Sequence, residues 1–357
     1  MTLKHMNTSP TAHAIPLQTE LPAILRCPDC SGLLEKENPA LVCAHCGRRY
    51  PLENGVIQFV PSEDYVTNFG FEWNRYSRTQ LDHEESRISE QTFIRKTGFS
   101  PQELSGKLVL DVGCGMGRFA EVASRWGAKV IGIDLSRAAE IAARNLADRP
   151  NVWICRADLR RLPFALESFD YIYSVGVLHH TPSCEQSFKS LIPFLKPGGA
   201  IAIWLYSGYN KYYRMSDVYR RFTTKLSPQK LHAVCAAVDS LYYVHAAMRP
   251  IPLIGRYLSG MLNYLIPIPL YQSREWRVLD IFDWYSPQYQ SKHTYEEVFR
   301  WFEECNLCNL RVLFEPIAVR GYKASERTGK GLVGRGLSAQ TLDPEASHCS
   351  SASCTLH

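Results

Sequence analysis

Val109-Leu-Asp-Val-Gly-Cys-Gly-Met-Gly-Arg-Phe-Ala120 decides the fold. Val109, Leu110 and Val112 form an apolar run, Gly113, Gly115 and Gly117 follow at alternate positions, and a helical period then runs through Phe119, Val122, Ala123 and Trp126. This order predicts a buried strand, a turn where backbone approaches a ligand closely, and a helix starting at the turn. Unpaired N–H groups at the start of that helix suit a nucleotide-like ligand.

The neighbouring residues narrow the ligand. A dinucleotide fingerprint G-x-G-x-x-G would need glycine at 118, where the chain has Arg118. Asp111 precedes the first glycine by two residues, giving D-x-G-x-G-x-G. A cofactor with a sulfonium and an ammonium gains from a carboxylate at such a turn, whereas a pyrophosphate would be repelled. Lys129-Val-Ile-Gly-Ile-Asp134 reads as a second strand ending in an acid, placed to accept ribose hydroxyls. These features point to S-adenosylmethionine, and the stretch resembles the class I S-adenosylmethionine-dependent methyltransferases.

The resemblance implies a Rossmann-like, seven-stranded α/β sheet with helices on both faces. Val152–Cys155 is the expected third strand, Tyr171–Val175 the fourth, Ala200–Leu205 the fifth, and Leu310–Phe314 and Val319–Tyr322 the last, antiparallel pair. It also implies that Asp111, Gly113, Gly115 and Gly117 hold the methionine end, Asp134 the ribose and Asp158 the adenine amine. Gly176-Val-Leu-His-His-Thr-Pro182 follows the fourth strand, so His179 and His180 are the candidate catalytic groups, as a base or as pocket walls. Pro193 should bend or shorten the helix at Phe188–Leu195. Thr294-Tyr-Glu-Glu297 reads as a capping box opening a late helix.

Ahead of this unit stand Cys27-Pro-Asp-Cys30 and Cys43-Ala-His-Cys46. Two C-x-x-C knuckles across a short hairpin place four thiolates around one closed, structural Zn²⁺. Arg49–Val60 reads as a strand pair turning at Asn54-Gly55. The segment is similar to the small zinc-ribbon family found alone in bacteria and as the activating subunit of eukaryotic tRNA and protein methyltransferases. Phe71-Glu-Trp-Asn-Arg-Tyr76, in an aromatic run from Tyr65, resembles a stretch that precedes the catalytic domain in some zinc-ribbon methyltransferases.

The expected layout is a disordered leader over 1–23, a zinc ribbon over 24–61, an aromatic linker and cap helix over 62–104, and the methyltransferase core over 105–206. A helical, acceptor-side insertion after the fifth strand follows over 207–292, then the end of the core over 293–324 and a disordered tail over 325–357 that carries Cys349 and Cys354. Lys211–Lys230 carries a basic stripe with interleaved tyrosines, read as a solvated helix face or a phosphate contact. Leu253–Leu270 is apolar, with Leu258, Met261, Leu262 and Leu265 on one helical face, and is too short to span a bilayer. A lid, a peripheral membrane contact and a packed helix all fit it. Tyr285, Tyr289 and His293 are expected to line the acceptor pocket.

The net charge of +5 argues for neither nucleic acid nor membrane. Twelve cysteines, four of them in one metal cluster, fit a reducing, cytoplasmic setting better than a disulfide scaffold, and no secretory signal is read near Met1. The sequence thus describes a methyltransferase acting on a small-molecule or lipid-like acceptor. RNA is the alternative substrate, from the zinc unit and the basic stripe, and a non-catalytic scaffold docking through the ribbon is the alternative class. Acceptor atom and oligomeric state stay open.

Overall fold

A computed structural model of the chain describes residues 22–60, 81–82, 87–209 and 213–325. Most of the leader, the Tyr65–Tyr76 run, the start of the cap helix, Lys211 and nearly all of the tail lie outside the described residues.

Four short strands come first: β1 (Leu34–Glu37), β2 (Ala40–Cys43), β3 (Arg49–Glu53) and β4 (Val56–Gln58). The β3–β4 turn is Asn54-Gly55, both with positive φ (50° and 79°), the geometry of a right-twisted two-residue hairpin. Helices α1 (Ile88–Thr97) and α2 (Pro101–Leu104) lead to β5 (Leu108–Val112), α3 (Arg118–Arg125), β6 (Lys129–Asp134), α4 (Ala138–Asn145), β7 (Val152–Arg156) and β8 (Phe169–Val175). A 3₁₀ turn at Leu178–His180, α5 (Cys184–Leu191) and β9 (Leu195–Trp204) follow. Pro193 falls in a second 3₁₀ turn, Ile192–Phe194, so α5 stops short of it, and Ser183 rather than a later residue caps its start.

The strands make one sheet in the order β1-β2-β3-β4-β7-β6-β5-β8-β9-β11-β10, with β10 (Leu307–Val312) and β11 (Ala318–Lys323) antiparallel at the far edge. The sheet expected from β5 onward is therefore continued by the ribbon. β4 pairs in parallel with β7 through Ile57↔Cys155 and Gln58↔Arg156. Arg161 pairs with Asp29 beside the first cysteine knuckle, and Asn54 donates to Glu140 at 2.9 Å. Ribbon residues Leu25, Leu41, Tyr50 and Ile57 share a core with Leu110, Ile131 and Cys155. The ribbon is thus an edge of the same sheet, since pairing and a shared core give its backbone groups partners.

Alternation along β5 sets the two layers. Leu110 and Val112 face the core that holds the ribbon, whereas Val109 faces Phe93 of α1 and Val122 of α3. After β9 come α6 (Tyr213–Thr223), α7 (Pro228–Val238), α8 (Leu241–Met248), α9 (Gly255–Leu265) and α10 (Arg274–Tyr285). They contain a core of their own, with Leu231, Cys235, Val278, Ile281 and Phe282 buried. Arg277 is buried there against Asp239 at 2.6 Å, a pair that holds α10 to the end of α7. The last helix, α11 (Tyr295–Glu304), starts at the Thr294/Glu297 capping box.

Candidate active site

A cavity of about 520 Å³ opens at the carboxyl ends of β5, β6, β7, β8 and β9, within the usual range for small-molecule sites. Its floor is the glycine turn. Gly113 and Gly115 line it, the N–H groups of Gly113 and Cys114 donate to the Ile133 carbonyl at 2.8 and 2.9 Å, and the Gly115 N–H donates to Asp134 Oδ2 at 2.9 Å. Asp134 Oδ1 also accepts from the N–H and hydroxyl of Ser136. Its carboxylate therefore bridges the turns after β5 and β6, and burial raises its pKa. Asp158 lines the cavity wall, its carboxylate held by both Nε and Nη2 of Arg160.

The structure places two other expected residues elsewhere. Asp111 shares the strand face of Val109, so it points beneath the turn towards α3 and does not line the cavity. Burial pushes its pKa up to about 8. Gly117 does not line the cavity either: a Cβ there would come within 2.8 Å of Leu146 Cδ1, so its role is to let α3 pack beside α4.

The two histidines separate. His180 lines the cavity, and its Nδ1 lies 3.1 Å from the Tyr289 carbonyl. His179 is fully buried and off the cavity, stacked on Tyr206 with ring centroids 4.0 Å apart. Both its ring nitrogens lack a hydrogen-bond partner among the described residues, and burial drives its pKa well below the ordinary histidine value.

None of the three expected acceptor residues lines the cavity. Tyr285 is buried in the insertion core, where its hydroxyl donates to the Pro267 carbonyl at 2.9 Å. Tyr289 contributes its carbonyl to His180. His293 is held by Ser291 Oγ at 2.7 Å and edge-on to Trp301, fastening the loop beside the end of β9. These residues brace the wall from outside because α10 itself takes the inner position.

That inner wall carries the groups the sequence reading missed. Trp276, Leu279, Asp280, Asp283 and Trp284 recur at intervals of three and four along α10 and all line the cavity. Two acids on an apolar helix face were the available signal. Tyr206 donates to Asp283 Oδ2 at 2.5 Å. Burial, reinforced by Asp283, pushes Asp280 up to about 7. Ile88, Thr92 and Lys96 of α1 also line the cavity. Lys96 Nζ sits 3.4 Å over the Trp204 ring, and burial lowers its pKa to about 7, helped by nearby Arg118.

At the other end, the sulfurs of Cys27, Cys30, Cys43 and Cys46 lie within 4.8 Å of one another. The Cys27–Cys46 and Cys30–Cys43 separations are 3.7 and 3.4 Å. Tetrahedral Zn–S bonds of about 2.3 Å put sulfurs roughly 3.8 Å apart, so this donor set fits zinc. Gly32 is required there, because a Cβ would meet Cys43 Sγ at 2.9 Å.

A Rossmann-like sheet with a glycine turn and acid-tipped strands around one cavity defines the class as the S-adenosylmethionine-dependent methyltransferase fold, with a four-cysteine ribbon added. In agreement, residues 110–203 match the model described as "Methyltransferase domain" and residues 19–55 match that described as "Trm112p-like protein". The α6–α10 insertion lies outside both matches.

Among curated proteins, the sterol 24-C-methyltransferase of Schizosaccharomyces pombe is 27% identical over 147 residues, covering 40% of this chain and 38% of that one. The ubiquinone biosynthesis O-methyltransferase of Coxiella burnetii is 32% identical over 132 residues, covering 36% and 56%. The chain thus spans about half the length, or less, of these relatives. An S-adenosylmethionine-dependent methyltransferase structure from Mesorhizobium loti is 30% identical, with a TM-score of 0.31 over 36% of this chain and 56% of that one.

Proposed function

We propose that this protein transfers a methyl group from S-adenosylmethionine to a small-molecule or lipid-like acceptor. The observation that carries the reading is the shared cavity: Gly113, Gly115, Asp134 and Asp158 ring one end, and Trp204, Tyr206 and the α10 face ring the other. Bound S-adenosylmethionine supplies a methyl group on a positively charged sulfur, a good leaving group. The protein's work is then alignment of donor and acceptor.

On this reading the bare backbone at Gly113 and Gly115 admits the methionine end, Asp134 accepts the ribose hydroxyls and Asp158 faces the adenine amine. Asp111 acts from behind the turn by fixing its shape. For an acceptor that loses a proton, His180 and Asp280 are the candidate bases among the titratable groups that line the space, which include Lys96 and Asp283. With Nδ1–H donating to the Tyr289 carbonyl, His180 keeps Nε2 as its accepting nitrogen. Zinc on Cys27, Cys30, Cys43 and Cys46 would tie the two knuckles of the ribbon together, a structural role apart from the chemistry.

The RNA reading gains less. Within the basic stripe Arg220 is taken up by Asp217 and by the Trp284 carbonyl. The names of the curated relatives, a sterol and a ubiquinone-pathway methyltransferase, favour small acceptors. Isothermal titration tests the assignment: Asp134→Ala should weaken S-adenosylmethionine binding at least tenfold, the scale of one or two lost charge-assisted hydrogen bonds, about 1.5–3 kcal/mol each. Unchanged affinity would overturn it.

A further inference from the structure

Helices α8 and α9 pack chiefly on each other, forming a hairpin. A Cβ at Gly255 would lie 2.0 Å from the Met248 carbonyl, so only glycine permits this crossing, and His245 Nδ1 meets Ser259 Oγ at 2.8 Å in the seam. The outer surface is the opposite of what a water-facing hairpin needs. Ile254, Leu258, Met261 and Leu265 recur at helical spacing and are exposed, and Leu253 at the tip is fully so, at 103%. Tyr243, Tyr257 and Tyr264 are exposed around them. Of the readings open for the α9 stripe, a packed helix is the one this exposure does not support.

Charge says what covers it. From Ser240 to Arg274 the chain contains no Asp or Glu, and its charged residues are Arg249, Arg256 and Arg274. Arg249 and Arg256 flank the apolar tip and are exposed. A partner protein's groove would commonly bring acids of its own to meet such arginines. A bilayer brings an apolar interior, a zone that suits tyrosine rings, and anionic headgroups in one surface. Among the described residues no helix is long and apolar enough to cross a membrane, so the contact is interfacial. Ile266–Leu270 then leads directly from α9 to Tyr271, which is half exposed and also lines the cavity.

We infer that the α8–α9 hairpin docks this protein on an anionic lipid bilayer, with the Ile251–Leu265 face in the headgroup region and the cavity mouth at Tyr271 turned towards the membrane. The inference deepens the proposed reading by taking the acceptor from the lipid phase, and its test needs no methyl transfer.

Co-sedimentation of the full chain with vesicles of phosphatidylglycerol and phosphatidylcholine tests it. The wild type should bind phosphatidylglycerol vesicles, less as salt rises. The double variant Leu253→Asp/Ile254→Asp should lose binding at least tenfold. Arg249→Ala and Arg256→Ala should each lose about fivefold. Circular dichroism and S-adenosylmethionine titration of the variants should match wild type, which separates this test from the methyltransferase assignment. Absence of vesicle binding at low salt, binding indifferent to the tip substitutions, or a dimer in solution that the tip variant dissociates would each overturn the proposal.

Discussion

Replacing Gly113 by alanine should damage the protein more than the same replacement at Gly117, at the other end of the glycine turn. Gly113 has φ +77°, and a Cβ there would lie 2.4 and 2.5 Å from the two methyls of Val177 and 2.9 Å from its Cβ. The left-handed backbone costs an alanine about 1–2 kcal/mol, and forced overpacking about 1–3 more, so Gly113→Ala should lose about 2–5 kcal/mol. Gly117→Ala offers the comparison. Its φ is +92°, but its nearest contact is the movable end of Leu146 at 2.8 Å, so the loss should stay at about 1–2 kcal/mol.

A double-mutant cycle isolates the contact. Val177→Ala removes the two shortest contacts with the added methyl and leaves the third. In urea unfolding followed by tryptophan fluorescence, the Gly113→Ala/Val177→Ala protein should recover at least about 1 kcal/mol relative to the sum of the single losses. The Gly113 variants should also bind S-adenosylmethionine more weakly, because the added methyl stands on the cavity floor. Equal unfolding midpoints for Gly113→Ala and Gly117→Ala, or strict additivity with Val177→Ala, would refute the reasoning.

Two further outcomes follow from the buried titratable groups. His179→Phe keeps the stacking on Tyr206 and removes two unpartnered ring nitrogens, so its melting temperature should equal or exceed wild type. Because the native state keeps His179 neutral, wild type loses stability as pH falls through about 6.5 and the phenylalanine variant gains on it there; a melting temperature several degrees lower at pH 7 would give the ring a polar role instead. Asp280 behaves in the opposite sense. Its folded pKa is raised to about 7, so the stability it contributes is complete below about pH 4 and is lost as pH rises through 7. Asp280→Asn should therefore gain on wild type between pH 5 and pH 8, by at most about 3 kcal/mol, in urea unfolding at the two pH values. A difference that stays constant with pH would contradict the buried environment assigned to this carboxyl.

Local signals were enough wherever the chemistry is written in consecutive residues. The glycine turn, the acid ending the second strand, the paired knuckles and the Asn54-Gly55 hairpin each depend on backbone geometry or ligand spacing within about twenty residues. The periodicity of apolar residues placed strands and helices along the chain, and what was expected of their sheet came from the resemblance. What the periodicity could not show is which way a buried carboxylate points: Asp111 lies in the same motif as Gly113, yet strand alternation turns it under the site. The adjacent histidines divide because a 3₁₀ turn sends successive side chains about 120° apart, one into the core and one into the cavity.

Tertiary packing alone decided the acceptor wall and the place of the ribbon. Tyr285 and Trp284 are neighbours in sequence, but a helix sends them about 100° apart, so one enters the insertion core and the other the cavity. The pairing of β4 with β7 joins segments about a hundred residues apart, and no local rule foretells which strand edge another will cover. Motif spacing along the chain set the ligand types, thiolates for zinc and acids near glycines for the cofactor. Only the folded chain determined which of those side chains share a space, because proximity between distant segments is set by the burial of apolar faces that the sequence merely alternates.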